Sequence, residues 1–412
     1  MAKHVSIIGG GVVGLATAYA LVRAGMDVTL VEGQASLGSA SSFANGGQLS
    51  YRYVTPLADA GVPLQTLVGL LRGESPLKLR PRLDPSQWRW LAQFLGACRT
   101  SVNHANSEHL LRLALLSQET LQSWRHEDRL EGFDWKRNGR LLAFRSAESF
   151  EQARRTVRDP LQQQVMSADD CRRLEPSLNS GNFIGGIYNP TEEVADCHAF
   201  CQRLAEHLEA SGKCRMLLGR KVLKVHEAFG TVVAIELQDE VLPVEHLILA
   251  AGHNSQSLLP AMRLPIYPLK GYSLSVPIEA QHAAPSINIT DYDRKAVYAR
   301  IGAQLRIAAM VDIVGYNSAP EPKRLSVIKR LARQTFPMAG NYDAAVEWAG
   351  MRPATPTGLP LVGPTAFRNL WLNLGHGALG FTLACGSGQL LAEMIEAQST
   401  SIDTRAFLPK IA

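Results

Sequence analysis

No C-x-x-C pair occurs in this chain. Its six cysteines are scattered. Cys197 and Cys201, four apart, suit one face of a helix and match no zinc or iron–sulfur template. Reduced thiols, no metal centre and a cytoplasmic chain are therefore expected. Lys/Arg blocks and RNA-binding aromatic motifs are also missing, so the net charge of +5 is weak evidence for nucleic acid, and no nucleic-acid partner is expected. It suits an anionic cofactor or an anionic membrane face. No internal repeat is evident. The charge-free run from Val5 to Val22 is long enough to suggest a membrane span, but three consecutive glycines interrupt it and only Lys3 and His4 precede it. Neither a span nor a signal peptide explains that interruption.

A phosphate-binding turn does. "HVSIIGGGVVGLATAYALVRAGMDVTLVE" reads as strand, glycine turn, helix and strand. Gly9, Gly11 and Gly14 fall in the G-x-G-x-x-G spacing, for the tight turn, the approach to a pyrophosphate and helix–strand packing respectively. The helix N-terminus then offers free N–H groups and a positive dipole end to a diphosphate. Gly25 ends the helix, and Glu32 stands at the end of the second strand, where a carboxylate accepts from a ribose. The fingerprint does not separate NAD from FAD. In "GSASSFANGGQLS" small residues stand where a second crossover helix would need an apolar stripe. Ser41 and Ser42 can donate to phosphate, and Gly46 and Gly47 allow close backbone approach. By composition alone this segment also suits a flexible linker.

A chain of 412 residues suggests two domains. Helical spacing runs from about Gln87 to Leu130, with Leu110, Leu113 and Leu116 in one apolar line. "GRLLAFRS" reads as a strand, His198 to Ala210 as an amphipathic helix, and "HLILAAG" as a buried parallel strand whose Gly252 permits close approach. "YPLKGYSLSVPI", "AVYARIG" and "LRIAAMVDIVG" alternate like strands of an exposed sheet. The expected fold is α/β. A Rossmann-like dinucleotide domain (1–55, 190–262 and 345–412) is interleaved with a β-rich α+β substrate domain (56–189 and 263–344).

"SIIGGGVVGLATAYAL", "ANGGQLS", "YPLKGYSLSVPI", "AGMRPATPTGLPLVG" and "NLWLNLGHGALGFTLACGSGQLL", in order along the chain, resemble the D-amino acid oxidase superfamily. Within it they look most like the bacterial D-amino acid dehydrogenases. The resemblance implies FAD as cofactor and oxidative deamination of a D-amino acid to a 2-oxo acid and ammonia. It implies that Arg352, in the G-x-R-P motif, binds the substrate carboxylate, for which a planar, permanently charged guanidinium is suited. It also places the strand carrying Lys270 and Tyr272 beside flavin and substrate. Lys270 there is either a cation near flavin N5 or a solvent-facing edge lysine. Tyr272 is either a substrate hydrogen-bond donor or a packing residue. Cofactor contacts are implied at Val12, Val13, Asn45, Gln48, Val222, His376, Ala378, Leu379 and Thr382, besides the residues already named. His253 and His376 read as structural. Sarcosine-oxidase relatives attach flavin to a cysteine where this chain has Gly350, so the flavin is expected to be non-covalent. Where the family has aspartate in "TPDG" this chain has Thr357, which can form a similar turn.

Hydride transfer from Cα–H to flavin N5 needs alignment and a neutral amine more than acid–base groups, so no catalytic histidine is expected. Reduced flavin gathers charge at N1 and O2, and the turn at Gly375, Gly377 and Gly380, with the helix from about Phe381, supplies a dipole for it. Gly386 and Gly388 are expected to pack this helix on the first one. Dehydrogenases of this family pass electrons to a quinone or respiratory chain. Residues Thr55 to Asp84, with Leu67 to Leu71, mix apolar and basic side chains as a peripheral contact on the inner membrane face would, or as a surface loop over the substrate domain would. The alternatives are a subunit of a heteromeric D-hydroxyproline- or sarcosine-type dehydrogenase, an oxygen-using amino acid oxidase, and a non-catalytic FAD-binding protein.

Overall fold

The computed structural model describes residues 3–59, 61, 76–157, 159, 162–180 and 182–409. The expected Leu67–Leu71 contact lies outside the described residues. Around the glycine turn the apolar strand His4–Ile8 is central in a six-stranded sheet. It pairs in parallel with Asp27–Glu32 on one side and His246–Leu249 on the other, with Ile7 opposite both Leu30 and Ile248. Cys214–Leu218 extends one edge, and Leu370–Leu374 with antiparallel Leu361–Pro364 extends the other. Strands covered on both faces must be apolar throughout, which is why these read as runs rather than alternations. Helices Val12–Arg23, Cys197–Ala210 and Gly380–Ile395 share one core on one face. The Gly377–Ile395 stretch is long and apolar enough to cross a membrane, but here it is a core helix.

Two borders differ from the sequence reading. The long helix Thr100–Glu127, inside the segment assigned to the substrate domain, buries Leu110, Leu113, Leu121 and Trp124 in the dinucleotide-side core. A Cβ on Gly386 would lie 2.7 Å from Leu113 O, so Gly386 makes room for this helix. Only Gly388 faces the first helix, with its would-be Cβ 2.8 Å from Ala16 O. In the other direction, Val346–Ala354 is the edge strand of a nine-stranded sheet, beside Tyr267–Pro277.

That sheet is not exposed. Tyr267–Pro277 is buried at every residue but the last. It runs between Val346–Ala354 and Gln304–Ile313, and the helix Pro322–Thr335 packs behind it. Its alternation separates two buried faces rather than core from water. One faces the helix and the other faces a cavity between the sheets.

Candidate active site

The cavity has a volume of about 1690 Å³, more than an ordinary small-molecule pocket of roughly 300–1,000 Å³ and room for a dinucleotide with a second ligand. The residues expected at the cofactor line it: Gly9, Gly11, Val12, Val13, Glu32, Ser41, Ser42, Asn45, Gly46, Gly47, Gln48, Val222, Gly252, Gly375, His376, Gly377, Ala378, Leu379, Gly380 and Thr382. Gly14 is the exception. Its would-be Cβ falls 1.9 Å from Gly9 O, so this glycine serves the packing of helix on turn.

The glycines divide into two kinds. Gly9 and Gly375 are filled against by protein: a Cβ there would sit 2.5 Å from Ala250 O and 2.6 Å from the Thr355 methyl. At Gly11, Gly252, Gly377 and Gly380 a Cβ would meet no protein atom closer than 3.6 Å, so a side chain would project into the cavity. Side chains are thus missing on three loops from distant parts of the chain, as a flat nucleotide requires. The helices Val12–Arg23 and Gly380–Ile395 begin there with no cap from the side chains of their own N-cap residues, Gly11 and Leu379, and no acidic residue in the first turn. Their N-terminal field therefore opens on the cavity. Glu32 accepts from Gly10 N at 2.6 Å and Gln34 N at 2.7 Å, which fixes the carboxylate while leaving it acceptor capacity for a ribose hydroxyl. No cysteine lines the cavity, and Gly350 is overlain by the Trp348 indole, whose Cη2 a Cβ there would meet at 2.0 Å. These residues fit a non-covalently held FAD.

Some expected roles are corrected. Ser41 donates to Met351 O, so its proton ties the small-residue loop to the edge strand and is not free for phosphate. Ser42 accepts from Val12 N at 3.0 Å and keeps its own proton. Asn45 uses Oδ1 to accept from Gly47 N, and its carbonyl accepts from Arg306. The His376 ring is buried beside Ser387 Oγ at 3.0 Å, and burial pushes its pKa down to about 3. It stays neutral and structural, as expected. Thr357 Oγ1 accepts from Leu359 N at 3.3 Å, reproducing the turn.

Lys270 and Tyr272 are the larger corrections. Strand alternation turns both away from the cavity, toward the helix side. Lys270, buried and absent from the cavity lining, donates to Ala319 O at 2.8 Å. The Tyr272 hydroxyl donates to Asp312 Oδ2 at 2.8 Å, and Asp312 also pairs with Arg324. Tyr272 reaches the cavity only along its wall. A Lys270→Met variant is accordingly expected to lose about 1–3 kcal/mol of stability from the orphaned buried polar groups, with flavin content unchanged and kcat/KM within threefold. A tenfold fall in kcat/KM at full flavin content would restore the cationic role.

Arg352 does face the cavity. It stands opposite Leu269 in the antiparallel pair, and its guanidinium lies flat across Gly271, where a Cβ would be 2.3 Å from Cζ. Nη1 donates to Met310 O at 3.0 Å. Burial lowers its pKa to about 10, with Asp312 partly offsetting the shift, so it remains a cation at neutral pH. The surrounding wall is apolar: Trp90, Phe94, Leu269 and Met310. Trp90 Nε1 donates to Ala354 O at 2.8 Å, which clamps helix Pro85–Ala97 onto the arginine's strand. Gly271 was quoted in a motif but given no role by the sequence reading. Arg140, Thr290, Lys295 and Trp348 also line the cavity and were not singled out.

Known proteins resemble the chain along nearly its whole length. Residues 4–394 match the DAO family, described as FAD dependent oxidoreductase. The chain is 63% identical over 411 residues to D-amino acid dehydrogenase 2 of Pseudomonas aeruginosa, covering 100% of this chain and 99% of that protein. It is 40% identical to D-amino acid dehydrogenase 2 of Ralstonia nicotianae, covering 97% and 98%. Among solved structures, L-proline dehydrogenase from P. horikoshii shares the fold with a TM-score of 0.76 at 17% identity, covering 99% of this chain and 97% of that one. With a cofactor cradle, an arginine facing the same cavity and these matches in hand, the chain belongs to the DAO family of FAD-dependent oxidoreductases.

Proposed function

We propose that this protein oxidises D-amino acids to 2-oxo acids and ammonia and passes the electrons to a membrane quinone or another respiratory acceptor. The observation that carries the reading is Arg352, a charged guanidinium in an apolar wall of the cavity that also holds the glycine cradle. The names printed for the relatives from Pseudomonas aeruginosa and Ralstonia nicotianae support the substrate class.

Bound FAD supplies the two-electron acceptor. The residues of this chain do the rest. Arg352 receives the substrate carboxylate in a bidentate fork, and the carbonyl of Met310 and the bare surface of Gly271 fix the plane of that fork. Trp90, Phe94, Leu269 and Met310 strip water from the amine, which favours its neutral form and frees the lone pair that assists loss of the Cα hydrogen. Two electrons and two protons leave the amino acid, giving an imine. Water then adds to the imine and ammonia departs. Burial favours the neutral form of both His253 and His376, and the His376 ring is engaged with Ser387 Oγ. Anaerobic titration of the yellow protein with D- and L-amino acids tests the reading. Bleaching by D-isomers, with dye reduction by the chain expressed alone, is expected. No bleaching by any D-amino acid would overturn it.

Delivery to a membrane acceptor is supported by an exposed face on and around helix Pro85–Ala97. Leu83 is fully exposed, and Trp88 and Leu95 are about half exposed. Arg80, Arg89 and Arg99 are exposed nearby, and helix Pro85–Ala97 carries no acidic residue. This is the composition of an interfacial contact with anionic lipid. The six cysteines are all free, consistent with a cytoplasmic site at the inner membrane face. Changing Leu83, Trp88 and Leu95 together to Ser should cut binding to anionic vesicles about tenfold and slow quinone reduction, with dye reduction unchanged. Equal losses with quinone and dye would count against the contact.

A further inference from the structure

Arg140 opens the strand Arg140–Phe144 and is 6% exposed. Its Nε and Nη2 donate to the Thr290 hydroxyl at 3.0 and 2.8 Å, and its guanidinium lies over the Tyr53 ring, 4.3 Å from the centroid. Among the described residues no carboxylate pairs with it. Glu192 is turned to the backbone N–H groups of Tyr51 and Arg52. Lys295, exposed and lining the same cavity, holds Nζ 3.6 Å from the Tyr292 ring centroid and also lacks an ion-pair partner among the described residues. Of the acids nearby, Asp293 is committed to Arg145 N, Ser146 N and Ser149 Oγ at the start of the helix Ala147–Arg155. Asp59 accepts from Gly61 N at 3.2 Å.

A buried guanidinium whose direct partners are a neutral hydroxyl and a ring, with the Glu192 carboxylate acting on it only at longer range, keeps N–H donors that an anion would complete. Arg352 already accounts for the α-carboxylate. We propose that Arg140, with Lys295 beside it, receives a second carboxylate on the substrate side chain, so that the enzyme selects acidic D-amino acids. Thr290 orients the fork and the Tyr53 ring supports it from one face. Selectivity then arises because neutral side chains leave these cations unmatched, while a side-chain carboxylate takes charge-assisted hydrogen bonds from them.

This inference rests on the proposed D-amino acid oxidation, and the test separates the two. Dye-coupled kcat/KM is measured for D-glutamate and D-glutamine on the holoenzyme, on Arg140→Met and on Lys295→Met. Binding of glutarate against butyrate is read from the perturbed flavin absorption. The expected wild-type preference for D-glutamate over D-glutamine is at least tenfold, as is that for glutarate over butyrate. Arg140→Met abolishes both and Lys295→Met reduces them severalfold. Because Lys295 is exposed, its variant keeps the test usable if Arg140→Met fails to fold. A wild-type enzyme that bleaches with neutral D-amino acids yet shows no acidic preference would overturn this inference alone, as would a preference that survives the substitutions. Failure of every D-amino acid to bleach the flavin would overturn both.

Discussion

Arg352→Met should leave a yellow, folded protein whose kcat/KM for a D-amino acid falls by about a hundredfold to about twenty-thousandfold. The estimate follows from two charge-assisted hydrogen bonds to the substrate carboxylate at about 1.5–3 kcal/mol each, with each 1.4 kcal/mol worth about tenfold. Stability should change little, because removing a desolvated charge from an apolar wall offsets the loss of the hydrogen bond to Met310 O. The loss should appear mainly in KM. Arg352→Lys should rescue little, since an ammonium is a point charge and cannot fork. Gly271→Ala provides an independent check. Its methyl would fall 2.3 Å from the guanidinium carbon and must tilt the fork, so a ten- to hundredfold loss is expected with flavin content unchanged. A loss under tenfold for Arg352→Met would remove this residue from substrate binding.

Gly11→Val should give a colourless protein with an unchanged far-UV circular dichroism spectrum. Gly11 has φ −77° and ψ 176°, a conformation open to any residue, and a Cβ there would meet only Ser42 Oγ at 3.6 Å. The fold has no reason to object, but the new side chain would occupy the space a diphosphate needs. Gly14→Val makes the contrast. Its Cβ would collide with Gly9 O, and misfolding rather than clean loss of flavin is expected. Absorbance at the flavin band relative to protein, set beside the melting temperature, reads both. If Gly11→Val bound flavin normally, the turn would not be the diphosphate site.

The two glycine substitutions also show what was legible in advance. The strand–turn–helix register of the first 32 residues could be read because a fixed glycine spacing and an apolar run constrain the backbone locally. Arg352 was legible from its motif. Lys270 was misplaced because the direction of a strand side chain depends on which face meets the cavity, and here both faces are buried, so hydrophobic alternation carries no signal. Arg140 was missed although it stands in a strand otherwise made of Leu, Ala and Phe. A lone cation in so apolar a run was the available clue. The domain membership of Thr100–Glu127 could not be read, because its apolar stripe is equally suited to any partner and the partner, Gly386, lies far along the chain.

The crossing of Gly388 on Ala16 has a consequence in time as well as space. One wall of the nucleotide's berth is made with the Val12–Arg23 helix, and the opposing wall arrives only after everything between it and Gly380–Ile395 has been made. Cofactor capture must therefore wait until the Gly380–Ile395 segment has been made, and a chain released before it would be unable to retain its pigment however well the glycine-turn strand and helix had formed.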